Sequence, residues 1–474
     1  MADIARAEEG APIRVRRKPG IFYGWYIVAA GAAMNVYGSG VWFYGFPIFY
    51  KALLEEFGWA RATGATVISL ARLEGGLEGP IIGWLIDKFG PRKLAIIGAV
   101  LFAVGLLLMS MVTSISIGPI HVSALVVFIF LYAVVMSVGH NTGFGHCSMV
   151  AINAWFIKKR SRAFALYSLG AGGSGVTVFG LAWVVNSFGW RPAAFLAGMG
   201  IFLIVIPLSL VLRHKPEQYG YIPDGEESVE DSVSTDGTRP FDPEMGSVAT
   251  AEGTKRKEPR SENVAWADYD FSVKETLATV AFWMLILGFA ARSISMTSIV
   301  VHKVAYLTDV GIPLTQAGAA LGGMVFISMI GRFGFGVLGD YIDKRYLFIA
   351  TYLMQAVGIF ILDSVTGMAM VWVFVVIYGI AYGGAIPLSF SIVGEYFGRK
   401  NYATIRGFMQ FFLIPATLVG PIYAGLVFDI TDSYHIAFMS FIASLLVGTV
   451  FIFFARRPKL PASALSAGYT SAGT

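Results

Sequence analysis

Twelve membrane-spanning helices in two similar six-helix bundles are the architecture that this 474-residue sequence predicts, an all-α membrane protein. Three observations lead there. Hydrophobic residues make up 56% of the chain and charged ones only 14%, whereas a water-soluble protein carries about a quarter charged residues. Two segments half a chain apart repeat each other: Gly83-Trp84-Leu85-Ile86-Asp87-Lys88-Phe89-Gly90-Pro91-Arg92-Lys93 is echoed by Gly336-Val337-Leu338-Gly339-Asp340-Tyr341-Ile342-Asp343-Lys344-Arg345. Likewise Trp155-Phe156-Ile157-Lys158-Lys159 is echoed by Tyr396-Phe397-Gly398-Arg399-Lys400. Finally, Lys and Arg gather in turns at alternate ends of the apolar runs, as the positive-inside bias requires. A duplicated set of spans is how many secondary carriers are built.

The runs that reach membrane length lie near 22–50, 62–86, 92–113, 121–156, 163–186 and 191–213 in the first half. Those of the second half lie near 276–306, 314–340, 345–365, 369–397, 402–428 and 434–455. A bilayer core of about 30 Å needs about 20 apolar residues per helix, and in lipid each backbone N–H and C=O must be bonded within the span. Residues 1–20 read as a cytoplasmic tail, 21–213 and 272–457 as the two bundles, and 458–474 as a second cytoplasmic tail. The first 20 residues hold no apolar core, so no cleavable signal peptide is expected. Residues 214–271 are rich in Glu, Asp, Ser, Gly and Pro and read as a largely disordered cytoplasmic linker. Its end, Ser272-Val273-Lys274-Glu275, has the capping-box pattern of a helix start. Pro47, Pro80, Pro387 and Pro415 are placed to kink or locally unwind their spans.

Orientation follows from the bases. Arg14, Arg16, Arg17 and Lys18 precede the first span; Lys158, Lys159, Arg160 and Arg162 follow the fourth; Arg399 and Lys400 follow the tenth; Arg456, Arg457 and Lys459 end the twelfth. The opposite loops hold little beyond Lys51, Arg61, Arg191 and Lys303. Both termini are therefore expected in the cytoplasm, in a multi-pass protein of the plasma (inner) membrane. The net charge of +5 is spread over these turns, so it reports topology rather than nucleic-acid binding. Cys147 is the one cysteine, which excludes an intrachain disulfide.

A charged side chain at mid-bilayer costs about 2.5–3.5 kcal/mol on insertion scales, so each one needs a reason. Counting from the turns, Glu74 and Glu78 fall near mid-depth of the second span, four residues apart on one face. Either one buried there is a candidate for the coupling proton, since desolvation favours the neutral acid; the alternative is pairing with Arg72 or Arg332. Arg332 lies inside the eighth span and Arg292 near the middle of the seventh. A guanidinium fork holds a carboxylate bidentately, which lysine cannot do; the competing use of Arg332 is a fixed ion pair joining the halves. Asn141 and His146 in the fourth span, Tyr37 in the first, Tyr382 in the tenth and Gln410 in the eleventh are further candidates to line a central cavity. The repeated turns, through Gly83, Asp87, Lys88, Gly90 and Arg92 and through Asp340, Lys344 and Arg345, sit at the rim and read as a conformational latch.

The stretch Gly83 to Lys93 resembles the loop-two motif of the major facilitator superfamily, with Tyr341 and Asp343 departing from it in the second copy. Phe22-Tyr23-Gly24-Trp25, Gly45-Phe46-Pro47, Trp155-Phe156 through Arg162, and Gly331-Arg332 resemble the bacterial monocarboxylate and oxalate/formate carrier branch. The resemblance covers about 21–213 and 272–455 and implies the twelve-helix major facilitator fold. It implies that Arg332 binds the substrate carboxylate. Three family features differ: Ile48 stands where a lysine is common, Ser328 where an aspartate is common, and Leu413 near the place of an oxalate-carrier lysine.

The sequence shows no metal-spaced His/Asp/Glu cluster, nucleotide loop or nucleophile motif. No enzyme activity, cofactor or metal is expected, and no obligate protein partner is evident. The expected function is transport of a small monocarboxylate-like organic anion by proton symport with alternating access. The alternatives are oxalate/formate-type anion exchange and, in another class, a membrane sensor that keeps a carrier fold.

Overall fold

The computed structural model describes residues 21–59, 61–117, 120–225 and 269–460. The first tail, most of the second (461–474) and most of the linker therefore lie outside the described residues. Among those described, the chain folds into twelve long helical segments. The first span runs Tyr23–Ser39, through a π-helical turn Gly40–Tyr44, and restarts at Phe46–Phe57. The rest of the first half comprises Arg61–Phe89, Pro91–Met109, Ala124–Trp155, Arg160–Phe188 and Trp190–Ser209. The second half comprises Val280–Asp309, Leu314–Leu338, Lys344–Asp363, Met368–Phe397, Tyr402–Thr431 and His435–Phe454. Two short strands, Ile115–Ile117 and Ile120–Val122, pair antiparallel between the third and fourth spans and are the one departure from an all-helical chain among the described residues.

Local chemistry sets the ends. Gly90 takes a left-handed φ of 86°, which turns the chain sharply, and Pro91 then opens the third span. Gly398 does the same after the tenth span with φ 89°. Ser272 and Glu275 form the full capping box, but on a separate short helix, Val273–Ala278. The seventh span begins later, at Val280, with the Thr279 hydroxyl accepting from Phe282 N–H. Pro80, Pro387, Pro415 and Pro421 remain inside continuous helices.

Glycine permits the close helix crossings that van der Waals packing in lipid requires. Within the second half, Gly331 of the eighth span lies against the Ile380 backbone of the tenth, and Gly383 lies against Ser328. Between the halves, Gly79 of the second span meets Gly407 of the eleventh backbone to backbone, and Gly336 of the eighth meets Ala165 of the fifth. Lys303, read from sequence as an outer-loop charge, is instead fully buried in the seventh span with its ammonium against the Met324 sulfur; six residues from the helix end it is still at packing depth.

These crossings leave no room for a side chain. Gly331→Leu should lower the melting temperature in detergent by several degrees, since overpacking costs about 1–3 kcal/mol or more. Gly175→Ala, where an added Cβ meets nothing, should leave it within about a degree by the same scale.

Candidate functional site: a polar seam between the two bundles

The repeated turns bring two carboxylates to equivalent places at the basic side of the protein, the side bearing these turns. Asp87, ending the second span, accepts from Ala403 N–H at 3.3 Å, Thr404 N–H at 2.9 Å and the Thr404 hydroxyl at 2.6 Å. Asp340, after the eighth span, accepts from Ser161 N–H at 2.9 Å and Arg162 Nε at 2.7 Å. Each aspartate thus sits at the N-terminus of a helix from the other half, where unpaired N–H groups and the helix dipole favour negative charge.

The remaining latch candidates act nearer home. Lys344 pairs with Glu395, and Arg345 with Asp343 two residues before it. Lys88 lies over the Trp84 ring at 4.6 Å, Gly83 packs on the Ala403–Thr404 backbone and Gly90 provides the turn, whereas Arg92 is exposed. Further cross-links close the same side: Ser161 Oγ donates to Ser391 Oγ at 3.0 Å, and Asn153 Nδ2 to the Gly398 carbonyl at 3.3 Å. Arg399 donates to the Ala154 carbonyl at 3.0 Å and to Glu217 at 2.9 Å. The second echoed motif is fixed by a matching device. Asp224 accepts from the N–H groups of Ile157, Lys158 and Lys159. Asp270 accepts from those of Arg399 and Lys400.

Above this closed rim the structure brings the candidate residues together in pairs. Arg332 is buried, and its Nη1 donates to the Ser168 carbonyl of the fifth span at 2.5 Å, across the seam. Asn141 Nδ2 donates to Glu78 Oε1 at 2.6 Å, joining fourth and second spans. His146 Nε2 and Gln410 Oε1 are 3.1 Å apart, joining the fourth span to the eleventh and one bundle to the other. Arg292 donates to the Tyr382 carbonyl at 3.2 Å, with its guanidinium carbon 5.9 Å from that ring's centre. Tyr37 donates to the Ala197 carbonyl at 2.7 Å, holding the first span to the sixth within one bundle. The side chain of Glu74 lies outside the described residues.

A wide turn makes the fourth span able to serve two neighbours. Residues Asn141–His146 are π-helical, so residues five apart stack one above the other, as residues four apart do in an α-helix. Asn141 and His146 are five apart, and both reach the second–eleventh pair of spans. The thiol of Cys147 donates to the Thr142 carbonyl at 3.0 Å, occupying an acceptor inside this irregular stretch. His140 is excluded from the seam, sandwiched against Trp42 and Phe144.

Sequence reading passed over Arg406. It lies one turn before Gln410 on the eleventh span; it donates to the Ser389 carbonyl at 3.2 Å and covers the Phe390 ring at 4.6 Å. Five residues into its helix, it reads as a flanking base of the turn. The spacing Arg406 to Gln410, four residues on one face, was the available signal.

The sequence profile of the Major Facilitator Superfamily matches twice, over residues 27–412 and 281–471. The chain belongs to the major facilitator superfamily. As a member it is a multi-pass membrane transporter, not an enzyme. Monocarboxylate transporter 3 of Gallus gallus is 24% identical, over 92% of this chain and 78% of its own length. Monocarboxylate transporter 2 of Homo sapiens is 23% identical over 90% and 85%. Among solved structures, the superfamily's proton:xylose symporter XylE overlays with a TM-score of 0.65 at 12% identity, over 94% of this chain and 99% of that one.

Loss of one aspartate contact should open the basic side. In a Cys147→Ser background, Ser391→Cys places a thiol beneath the closed seam. Adding Asp340→Asn should raise its labelling by a membrane-impermeant maleimide about tenfold, since hydrogen bonds to a charged group contribute about 1.5–3 kcal/mol.

Proposed function

We propose that this protein carries a small monocarboxylate across the plasma (inner) membrane by proton symport with alternating access, with the basic side and both termini in the cytoplasm. The observation that carries this reading is Arg332. It is a guanidinium buried at membrane depth in the seam between the bundles, holding a backbone carbonyl of the opposite bundle. A carboxylate is a stronger acceptor than that carbonyl and matches the guanidinium fork. A substrate carboxylate at Arg332 displaces the Ser168 carbonyl, so binding weakens a contact that ties the fifth span to the eighth. The monocarboxylate transporters to which the chain is similar support the choice of anion.

The coupling proton is assigned to Glu78. Its carboxyl is half-buried beside Asn141, on the span whose end carries Asp87. Protonation removes the charge that would oppose movement of the bundle through the low-dielectric core, and Asn141 can bond to either form of the acid. One proton then offsets one substrate carboxylate, and the loaded carrier crosses with no net charge added. Relaxation of the latches on that loaded form completes the cycle.

Proteoliposomes with a trapped pH dye test both assignments. Arg332→Lys should reach the membrane yet lose at least about tenfold of lactate uptake, because a point charge replaces a bidentate fork; retained uptake rejects the role. Glu78→Gln should abolish pH-driven accumulation while sparing exchange of labelled for unlabelled substrate. Unchanged proton coupling in that variant removes Glu78 from the mechanism.

A further inference from the structure

The two ends of the seam place Arg406 opposite Arg332. Asp340 lies eight residues after Arg332, and Asp87 lies eight residues after Gly79, so Gly79 marks on the second span the depth that Arg332 has on the eighth. Gly79 meets Gly407 backbone to backbone. Arg406, the neighbour of Gly407, therefore stands at the level of Arg332 on the other flank of the seam. Its surroundings come from four spans: His146 of the fourth, Tyr167 of the fifth, Ser389 and Phe390 of the tenth, and Tyr402 of its own. Among the described residues no carboxylate pairs with it. Its Nε is buried with no hydrogen-bond partner, and so is Nδ1 of His146.

The chemistry of these two atoms is complementary. Gln410 Oε1 is an acceptor, so His146 Nε2 carries the proton, and in the neutral ring Nδ1 is left as an acceptor. Arg406 Nε is a donor. A hydroxyl group can accept from Arg406 and donate to His146 with one oxygen, whereas a ketone oxygen can only accept. A buried donor and a buried acceptor that are both left unmade are costly, and one bound hydroxyl satisfies both.

We propose that Arg406 and His146 form a second polar subsite that recognises the hydroxyl at the second carbon of a 2-hydroxymonocarboxylate whose carboxylate is held by Arg332. This rests on the monocarboxylate reading above and adds the substituent that distinguishes one such acid from another.

Competition against labelled lactate in proteoliposomes decides it, with 2-hydroxypropanoate, 2-oxopropanoate and propanoate as competitors. The protein should prefer the hydroxy acid to propanoate about ten- to a hundredfold, the worth of one or two buried hydrogen bonds, with the oxo acid between them. Arg406→Gln and His146→Gln should each collapse that ratio toward one, and Arg406→Lys should restore part of it. An unchanged ratio in the Gln variants, or no preference in the parent protein, overturns the subsite while leaving Arg332 untouched. Should none of the three acids compete in the parent protein, the monocarboxylate reading fails instead. If Arg406→Gln does not fold, Arg406→Lys and His146→Gln carry the decision, because a structural role for Arg406 predicts equal loss for all three acids.

Discussion

A carboxylate set against the first N–H groups of a helix from the other half is the contact on which this arrangement depends. It occurs twice, at Asp87 and at Asp340, and the two are related by the internal duplication. A helix start offers several unmet donors and a partial positive charge; these and the Thr404 hydroxyl hold Asp87, and at Asp340 the Arg162 guanidinium is added. A single aspartate at the end of one span therefore suffices to register it against the next bundle. Because each anchor fixes the end of a span, it also fixes the depth of everything counted back along it. Arg332 and the Gly79–Gly407 crossing inherit their level from these ends.

The contacts at membrane depth are of a different character. They are mostly single hydrogen bonds: the Arg332 and Arg292 guanidinium groups donate to one backbone carbonyl each, Asn141 to the Glu78 carboxyl, and His146 pairs with Gln410. A bond to a charged group is worth about 1.5–3 kcal/mol and a neutral one about 0.5–1.5 kcal/mol. At the rim several charge-assisted bonds converge on one group, three on Asp87 and two on Asp340. The seam is thus held by several bonds per anchor where the helices end and by single bonds where a solute would sit. Such a gradient lets a ligand compete with internal partners at the centre without first having to break the rim.

Much of this was legible in the sequence, and the reasons differ by residue. The spans and their turns were readable because lipid allows few alternatives: a run of about 20 apolar residues has to be a helix. Asp87 and Asp340 stood out because the chain states their motif twice. The pairing of Asn141 with Glu78 and of His146 with Gln410 was not readable, since a helical wheel with 3.6 residues per turn separates positions five apart, and nothing local announces a π-helical turn except the glycines at 143 and 145. Lys303 was misjudged and Arg406 passed over for one shared reason. A base near the end of an apolar run looks like an interfacial charge, and only packing reveals that Lys303 is sealed between helices and that Arg406 faces the seam. The short helix before the seventh span was announced by its capping box, but where the span itself began depended on the Thr279 cap.

The fourth span has two wide turns, Leu131–Met136 and Asn141–His146, and the second holds one residue more per turn than an α-helix. That surplus can be handed up or down the segment one position at a time while every carbonyl retains a donor. Each step swivels the portion it passes by about 100°. A rod that stays sealed to lipid along its whole length can in this way re-aim a few of its side chains. The change of partner that a carrier needs at its centre then requires no break in the backbone ladder.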